Sequence, residues 1–189
     1  NASTDIYGQL TTIAESKFDP NLIWVGTDDG LIQMTTDGSK NWLKIDNIPG
    51  IPAQSYVHQI ISSLHDKNTA YACFNHHRYG DFKPYIVKTT DGGKTWKTIH
   101  SNLPERGSVY SIVEDHIDDN LLFVGTEFGC FFSKNGGQAW IQLKSGLPTI
   151  AVRDIEIQRR ENDLVLGTFG RGFYILDDYS LLRQFKNDD

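Results

Sequence analysis

The sequence is poor in the residues that mark several common classes of protein. It has two cysteines, Cys73 and Cys130, both inside apolar runs, so we expect buried free thiols and no disulfide framework. No apolar run approaches the roughly 18 residues of a membrane helix, and basic residues form no cluster beyond Arg159–Arg160. With a formal net charge of -6, the composition argues against nucleic-acid partners and against membrane insertion.

Residues typical of strands and tight turns are abundant instead. Aromatic residues make up 12% of the chain and glycine occurs 17 times, whereas methionine occurs once. Aromatic side chains favour pleated strands, and glycine favours turns. This balance predicts an all-β fold with no room for helices.

An eight-residue segment occurs three times in one frame. These octapeptide repeats are Thr35–Trp42 (T-T-D-G-S-K-N-W), Thr89–Trp96 (T-T-D-G-G-K-T-W) and Ser133–Trp140 (S-K-N-G-G-Q-A-W). A Gly-Thr motif at Gly26, Gly125 and Gly167 and a Pro-containing turn at Pro49, Pro104 and Pro148 run in step with them. Self-similarity at this period indicates a repeat architecture such as a propeller.

The motifs divide the chain into four units of four short strands separated by Asp-Gly, Gly-Gly and Asp-Pro turns. This is the pattern of antiparallel β-propeller blades. We expect one propeller domain or fragment over residues 1–189, with blades at about 6–47, 56–101, 108–145 and 151–186. The last strand of the fourth blade is expected near 181–185.

The octapeptide resembles the Asp-box, or BNR repeat, of sialidase-like propellers, and the middle copy matches its S/T-x-D-x-G-x-T-W pattern at every fixed position. Segments 81–96 and 167–178 look like the closing blades of large bacterial sortilin/VPS10-like proteins, often catalogued as glycosyl hydrolases. The resemblance implies further blades upstream and a secreted or cell-envelope location in a bacterium. Ser39 and Asn135 depart from the pattern, replacing its Gly and its Asp.

The octapeptides are interpreted as structural. Their acid accepts backbone N–H bonds across the turn, their glycine takes a positive φ, and their tryptophan packs beneath the loop. The residues given this role are Asp37, Trp42, Asp91, Gly93, Trp96, Asn135, Gly137 and Trp140. Because an amide at Asn135 cannot act as a general acid or nucleophile, turn formation explains the repeat better than catalysis does.

A ligand is expected on the opposite side, which we call the loop face: the turns between the second and third strands of each blade and the connections between blades. Candidate ligand-binding residues there are His76, His77, Arg78, Tyr79, Asp81, Glu127, Phe128, Arg153, Phe169 and Arg171. The segment from Asn75 to Lys83 is the first choice, with a solvated loop as the alternative. His58, Tyr110 and Arg153 occupy one position in three innermost strands, where they line the channel or serve packing.

Two functions remain open. Asp81 and Glu127 are candidate catalytic carboxylates, but no spacing pairs them as a glycosidase requires. Adjacent His76 and His77 diverge on an extended chain, so we expect no metal and no cofactor. A scaffold that binds protein, peptide or carbohydrate is favoured over a glycoside hydrolase completed by missing blades. Self-association through the end blades, or a tightly closed ring, is also expected.

Overall fold

The computed structural model describes residues 7–144 and 146–185. Its fifteen strands pair antiparallel in four sheets, each with its strands in chain order. This up-and-down order is that of propeller blades, and it confirms the predicted all-β propeller fold. Of the predicted blade limits, residues 6, 145 and 186 lie outside the described residues.

The four blades divide the strands as follows. Blade 1 contains β1 (Leu10–Ser16), β2 (Asp19–Thr27), β3 (Ile32–Thr35) and β4 (Leu43–Ile45). Blade 2 contains β5 (Tyr56–Ser62), β6 (Ala70–His76), β7 (Asp81–Thr89) and β8 (Lys97–Thr98). Blade 3 contains β9 (Val109–Glu114), β10 (Leu122–Thr126), β11 (Gly129–Ser133) and β12 (Ile141–Leu143). Blade 4 contains β13 (Val152–Gln158), β14 (Asp163–Thr168) and β15 (Phe173–Leu176). The first strands of successive blades contact one another and therefore line the centre.

The predicted strand near 181–185 is wrong. The chain forms a 3₁₀ helix there, Tyr179–Gln184, and blade 4 is a three-stranded sheet. A shorter 3₁₀ helix, His77–Tyr79, lies between β6 and β7, so the expectation of no helices fails at these two segments. Within residues 7–144 and 146–185, no helix has the length and apolar character needed to cross a membrane.

The core lies between neighbouring blades. Three clusters of buried side chains join blades 1 and 2, blades 2 and 3, and blades 3 and 4. In β6, Ala72 and Phe74 face blade 1, whereas Tyr71 and Cys73 face blade 3. Cys73 and Cys130 are free and buried, as expected. Among the described residues no cluster joins blade 4 back to blade 1, so the blades form an open arc and not a closed ring.

The third residue of each octapeptide closes its turn. Oδ1 of Asp91 accepts hydrogen bonds from the Thr89 hydroxyl and the Thr95 N–H, both at 2.9 Å, and Oδ2 accepts the Thr95 hydroxyl at 2.6 Å. These bonds, those from Thr95 first, lower the pKa of Asp91 to about 2. Oδ1 of Asn135 accepts the corresponding hydroxyl and N–H at 2.9 and 2.8 Å. The amide therefore makes the same turn as the carboxylate.

A second repeat anchors these turns, and the sequence analysis missed it. Asn21, Asn68 and Asn120 each follow by two residues an aspartate whose side chain accepts the asparagine N–H, at 3.0, 3.3 and 3.0 Å. The carbonyl oxygen of each asparagine accepts the N–H of the octapeptide's fourth residue, namely Gly38, Gly92 or Gly136. Two turns on the same side of each blade are thereby joined.

In blade 4, which has no octapeptide, the C-terminal 3₁₀ helix takes this place. The Tyr179 N–H donates to the carbonyl oxygen of Asn162 at 2.9 Å, the equivalent of the glycine bond in the other blades. The Tyr179 ring packs edge-on against Phe123 at 5.1 Å, and its hydroxyl donates to Asp115 at 2.5 Å. Arg183 donates two bonds to the same carboxylate, at 2.8 and 2.9 Å. The C-terminal segment is thus fixed to blade 3.

The octapeptide tryptophans of blades 2 and 3 pack against the preceding blade. Trp96 is 5% exposed and meets Trp24 edge-on at 5.9 Å. Trp140 is 4% exposed and donates its Nε1–H to the carbonyl oxygen of Ile99 at 2.7 Å. Trp42 has no such neighbour among the described residues and is 40% exposed. The outer flank of blade 1 therefore leaves its octapeptide tryptophan partly exposed.

We expect Arg183→Ala to lower the free energy of unfolding by about 3 kcal/mol, because it leaves a buried carboxylate without its cation. The Asp115 side chain is fully buried, and the Arg183 side chain is largely buried. The exposed pair Arg160–Glu161 supplies the control, since Arg160→Ala should change stability by less than about 0.5 kcal/mol. Urea denaturation of both variants checks this, and equal effects would contradict it.

The same pair should also contribute to acid unfolding. Burial raises the pKa of Asp115, but the bonds from Arg183 and Tyr179 outweigh it and hold that pKa well below its usual range. Because the folded pKa is depressed, the stabilisation is present above the unfolded pKa of about 3.9 and is lost as pH falls below it.

Self-association should run through the two open flanks. Ile13 on blade 1 and Phe173 on blade 4 are 71% and 77% exposed, on sheet faces that no neighbouring blade covers. We expect sedimentation equilibrium to give a mass that rises with concentration, and Phe173→Asp to suppress the rise. Ile117→Asp, at an equally exposed site on a turn, should leave it unchanged. A monomeric mass at all concentrations would show that the flanks do not pair.

Candidate ligand-binding face

Every innermost strand carries a β-bulge at the same position, near its loop-face end. The residues without a partner across the strand pair are Thr11 in β1, His58 in β5, Tyr110 in β9 and Arg153 in β13. A bulge bends the strand and re-aims the side chain of the extra residue. These four residues therefore form an arc around the central opening, which we call the bulge arc.

Three members of the bulge arc touch across blade boundaries. The His58 ring meets the Tyr110 ring edge-on at 5.1 Å, and the guanidinium of Arg153 lies 3.8 Å from the Tyr110 ring centroid. The ring of Phe169, at the tip of the blade 4 hairpin, also lies near the guanidinium of Arg153, with its centroid at 5.3 Å. Glu127 accepts the Tyr110 hydroxyl through Oε2 at 2.8 Å. Residues from three blades thus make one surface.

The charges in the bulge arc are set by burial and by each other. Burial lowers the pKa of His58, and the positive charge of Arg153 adds to the effect, so His58 is neutral at pH 7. Burial also raises the pKa of Tyr110 to about 12, assisted by its bond to Glu127. In the bulge arc, the positive charge of Arg153 therefore lies on uncharged aromatic rings.

The segment from Asn75 to Lys83 contains regular secondary structure, although most of its residues are solvent-exposed. It consists of the end of β6, the 3₁₀ helix His77–Tyr79 and the start of β7. His76 stacks on Tyr79 with ring centroids 4.4 Å apart, and its Nδ1 lies 3.1 Å from the Ser55 hydroxyl. The Tyr79 hydroxyl donates to Gln54 at 2.6 Å. His76 and Tyr79 are therefore held against the preceding connection, while His77 and Arg78 remain exposed.

Asp81 begins β7 and lines a cavity of about 620 Å³. Its Oδ2 accepts the Tyr85 hydroxyl at 2.6 Å, and its Oδ1 accepts the Lys83 N–H at 3.1 Å. Burial raises the pKa of Asp81, but these bonds outweigh it and the net pKa is lowered. Tyr85 was missed, although Asp81 and Tyr85 are four residues apart on one strand and must share a face.

The remaining candidates lie at hairpin tips. Phe128 and Phe169 are 43% and 70% exposed, and Arg171 is exposed beside Phe169 in the same turn of blade 4. A cavity of about 340 Å³ lies between Phe128, Glu127, Gly107, Arg106 and Phe82. The structure thus joins Glu127 and Phe128 to the bulge arc. His76, Tyr79 and Asp81 lie on blade 2, and the cavity lined by Asp81 shares Phe82 and Arg106 with the cavity at Glu127 and Phe128.

The described residues offer few side chains grouped as ligands for a metal ion. The described residues contain no group of three or more His, Cys, Asp and Glu side chains placed to hold a metal ion. His76 is engaged with Ser55 and Tyr79, and His77 is exposed beside it. What the face offers chemically is aromatic surface, guanidinium groups and carboxylates already bonded to phenols.

Sequence comparison with known proteins assigns no family to this chain. No family model matches the sequence. A probable oligoxyloglucan-reducing end-specific xyloglucanase from Neosartorya fischeri is 30% identical over 90 residues, which are 46% of this chain and 10% of that protein. This alignment is too short to assign a family.

Solved structures resemble the chain over nearly its whole length. An ancestral GH74 enzyme superimposes with a TM-score of 0.70 and 18% identity over 90% of this chain and 24% of that one. YCF48 bound to D1 peptide superimposes with a TM-score of 0.68 and 15% identity over 92% of this chain and 53% of that one. At these identities the likeness shows the propeller fold alone. The chain spans about a quarter to a half of these structures.

The coupling inside the bulge arc is testable by titration. We expect Glu127→Gln to lower the pKa of Tyr110 from about 12 towards its usual value of about 10, because it removes a negative charge and a strong acceptor. Arg153→Gln should raise it, because a cation that favours the phenolate is lost. NMR of tyrosines labelled at Cζ measures both shifts, and unchanged titration in both variants would exclude the coupling.

Proposed function

We propose that this chain is a propeller module that binds a protein, peptide or glycan on its loop face and performs no chemistry by itself. The observation that carries this is the bulge arc with its hairpin tips. Exposed Phe128 and Phe169 flank the Arg153–Tyr110 stack on a surface built from three blades. Exposed aromatic residues with arginine are typical of interface centres.

The carboxylates on this face are poorly suited to glycoside hydrolysis. A general acid needs a raised pKa, whereas the pKa of Asp81 is lowered. Glu127 is bonded to Tyr110 and Asp81 to Tyr85, and the two line different cavities that share Phe82 and Arg106. The cavity lined by Asp81 is also lined by Glu105.

Glycoside hydrolysis remains the second candidate because of the relative that carries a xyloglucanase name. In that case the site would be completed by blades outside this chain, as the resemblance to Asp-box proteins with further blades implies. That resemblance is also the basis for proposing a larger bacterial protein outside the cytoplasm. A longer sequence that contains this chain would test both proposals.

Purified chain should bind without turnover. We expect no hydrolysis of aryl glycosides, sialosides, β-glucan oligomers or xyloglucan oligomers. On glycan and peptide arrays, any ligand retained should be lost in Phe128→Ser, since the ring is 43% exposed on the loop face. Ile117→Ser, on the opposite side, is the matched control and should retain the ligand.

Either of two results would refute this proposal. One is turnover that Glu127→Ala or Asp81→Ala abolishes, because it would make these carboxylates catalytic. The other is retention of every array ligand by Phe128→Ser, because the binding surface would then lie elsewhere.

A further inference from the structure

The third strand of blade 4 has an open outer edge. In blades 1 to 3 a short fourth strand pairs with the third strand, whereas the sheet of blade 4 ends at β15. The chain leaves this edge because the C-terminal 3₁₀ helix turns back to blade 3, where Arg183 binds Asp115. Within residues 7–144 and 146–185 no strand pairs with the outer side of β15. Its backbone is therefore open to another strand.

The outer side of β15 presents the backbone groups of Phe173 and Ile175. The carbonyl oxygen of Gly172 accepts the Thr168 N–H at 3.0 Å and so faces β14. Backbone groups alternate in direction along an antiparallel strand. Those of Tyr174 therefore also face β14, and those of Phe173 and Ile175 face outwards. An added strand can bond to both outward residues.

Blades 1 to 3 show which residue type pairs with such an edge. One position of the third strand faces an aliphatic residue of the fourth strand, or of the residue just after it, in all three blades. The pairs are Ile32 with Ile45, Ile86 with Ile99 and Cys130 with Leu143. Phe173 takes this position in blade 4, since it lies opposite the glycine of the Gly-Thr motif as the residues of blades 1 and 3 do. A strand added to β15 should therefore place an aliphatic residue opposite Phe173.

A second copy of β15 meets this requirement when the two strands pair antiparallel. A twofold axis at Tyr174 places Ile175 of one copy opposite Phe173 of the other. Both residues have outward N–H and carbonyl groups, so each opposed pair exchanges both of its hydrogen bonds without a shift in register. The sequence of β15, F-Y-I-L, has no charged residue or proline, which are the residues that protect sheet edges from pairing.

The ends of the paired strands are complementary in charge. The same register brings Arg171 of one copy beside Asp177 of the other, and the twofold axis repeats this contact at the opposite end. Both side chains are exposed, and neither forms an ion pair within the described residues. Phe173 and Ile175, 77% and 60% exposed in the single chain, come together with their counterparts on one face of the joined sheet.

We infer that two copies of this chain pair edge to edge through β15 about a twofold axis. The interface is closed, because each copy uses the edge on which the other pairs. It therefore differs from stacking of the exposed sheet faces of blades 1 and 4, which can continue beyond two copies. The inference does not rest on the proposed binding function, and it assigns Arg171 to the interface between copies.

Oxidative cross-linking tests the register. Tyr174 lies opposite its own counterpart at a position without hydrogen bonds between the two copies, where Cα atoms are about 4.5 Å apart and a disulfide can form. We expect Tyr174→Cys to give a disulfide-linked dimer. Ile175→Cys is the control and should not, because its counterpart lies two residues further along. Cys73 and Cys130 are buried, so the unaltered chain gives the background. Thermal melts confirm that each variant is folded.

Sedimentation equilibrium tests the charge pairing. Because the paired strands are short, we expect a weak dimer at high protein concentration, with a mass that stops at twice that of the chain. Arg171→Asp should weaken the dimer about tenfold, since it replaces two attractive contacts with two repulsive ones. Asp177→Arg should do the same, and the double variant should restore the dimer. Arg160→Asp, in the turn between β13 and β14, changes the net charge equally and should leave the association unchanged.

Several results would overturn the inference. A chain that stays monomeric at every concentration would do so, as would equal cross-linking of the two cysteine variants or a double charge variant that fails to restore the dimer. A mass that rises beyond two copies would assign the association to the stacked sheet faces instead.

Discussion

Burial of both faces of each sheet between neighbouring blades is the constraint on which this structure depends. A four-stranded blade has too little interior of its own, so successive side chains along a strand must fill two different interfaces. In β10 and the residue before it, Leu122 and Val124 pack towards blade 2, whereas Leu121 and Phe123 pack towards blade 4. Each fully buried side chain of this size contributes about 1.5–3 kcal/mol. Each blade is therefore held in place by the side chains that its two sheet faces share with the blades on either side.

The two sides of the arc differ in how closely their turns repeat from blade to blade. On the octapeptide side, the octapeptide turns of blades 1 to 3 are tied to the Asp-x-Asn turn of the same blade, and the tryptophans of blades 2 and 3 also pack on the preceding blade. On the loop face a threonine hydroxyl bonds across the hairpin in blades 1, 3 and 4, whereas blade 2 carries the 3₁₀ helix His77–Tyr79. Residues free of packing duties accumulate on that face, which is where function is expected.

The repeats made the fold predictable, because octapeptide spacing, Gly-Thr hairpins and strand parity all agree on four blades. The end of blade 4 was not predictable in this way. Apolar residues near 181–185 suit a strand, but Tyr179 and Arg183 bind Asp115, which lies more than sixty residues earlier, and no local pattern records that contact. The same limit applies to the face. Parity placed Glu127, Phe128 and Arg153 on one side, but the stacking of Arg153 on Tyr110 depends on a bulge that has no sequence signature.

The phenol-to-carboxylate bonds connect the physical chemistry of this face to its proposed role. Tyr85 and Tyr110 each donate a hydroxyl hydrogen bond to a carboxylate, and these bonds fix the orientation of Asp81 and Glu127 on the face. Against the effect of burial, the bonds from Tyr85 and from the Lys83 N–H lower the pKa of Asp81, which disfavours it as the general acid of glycoside hydrolysis. The arrangement therefore disfavours catalysis, while the aromatic rings under Arg153 and Arg106 hold those side chains in place on the proposed binding face.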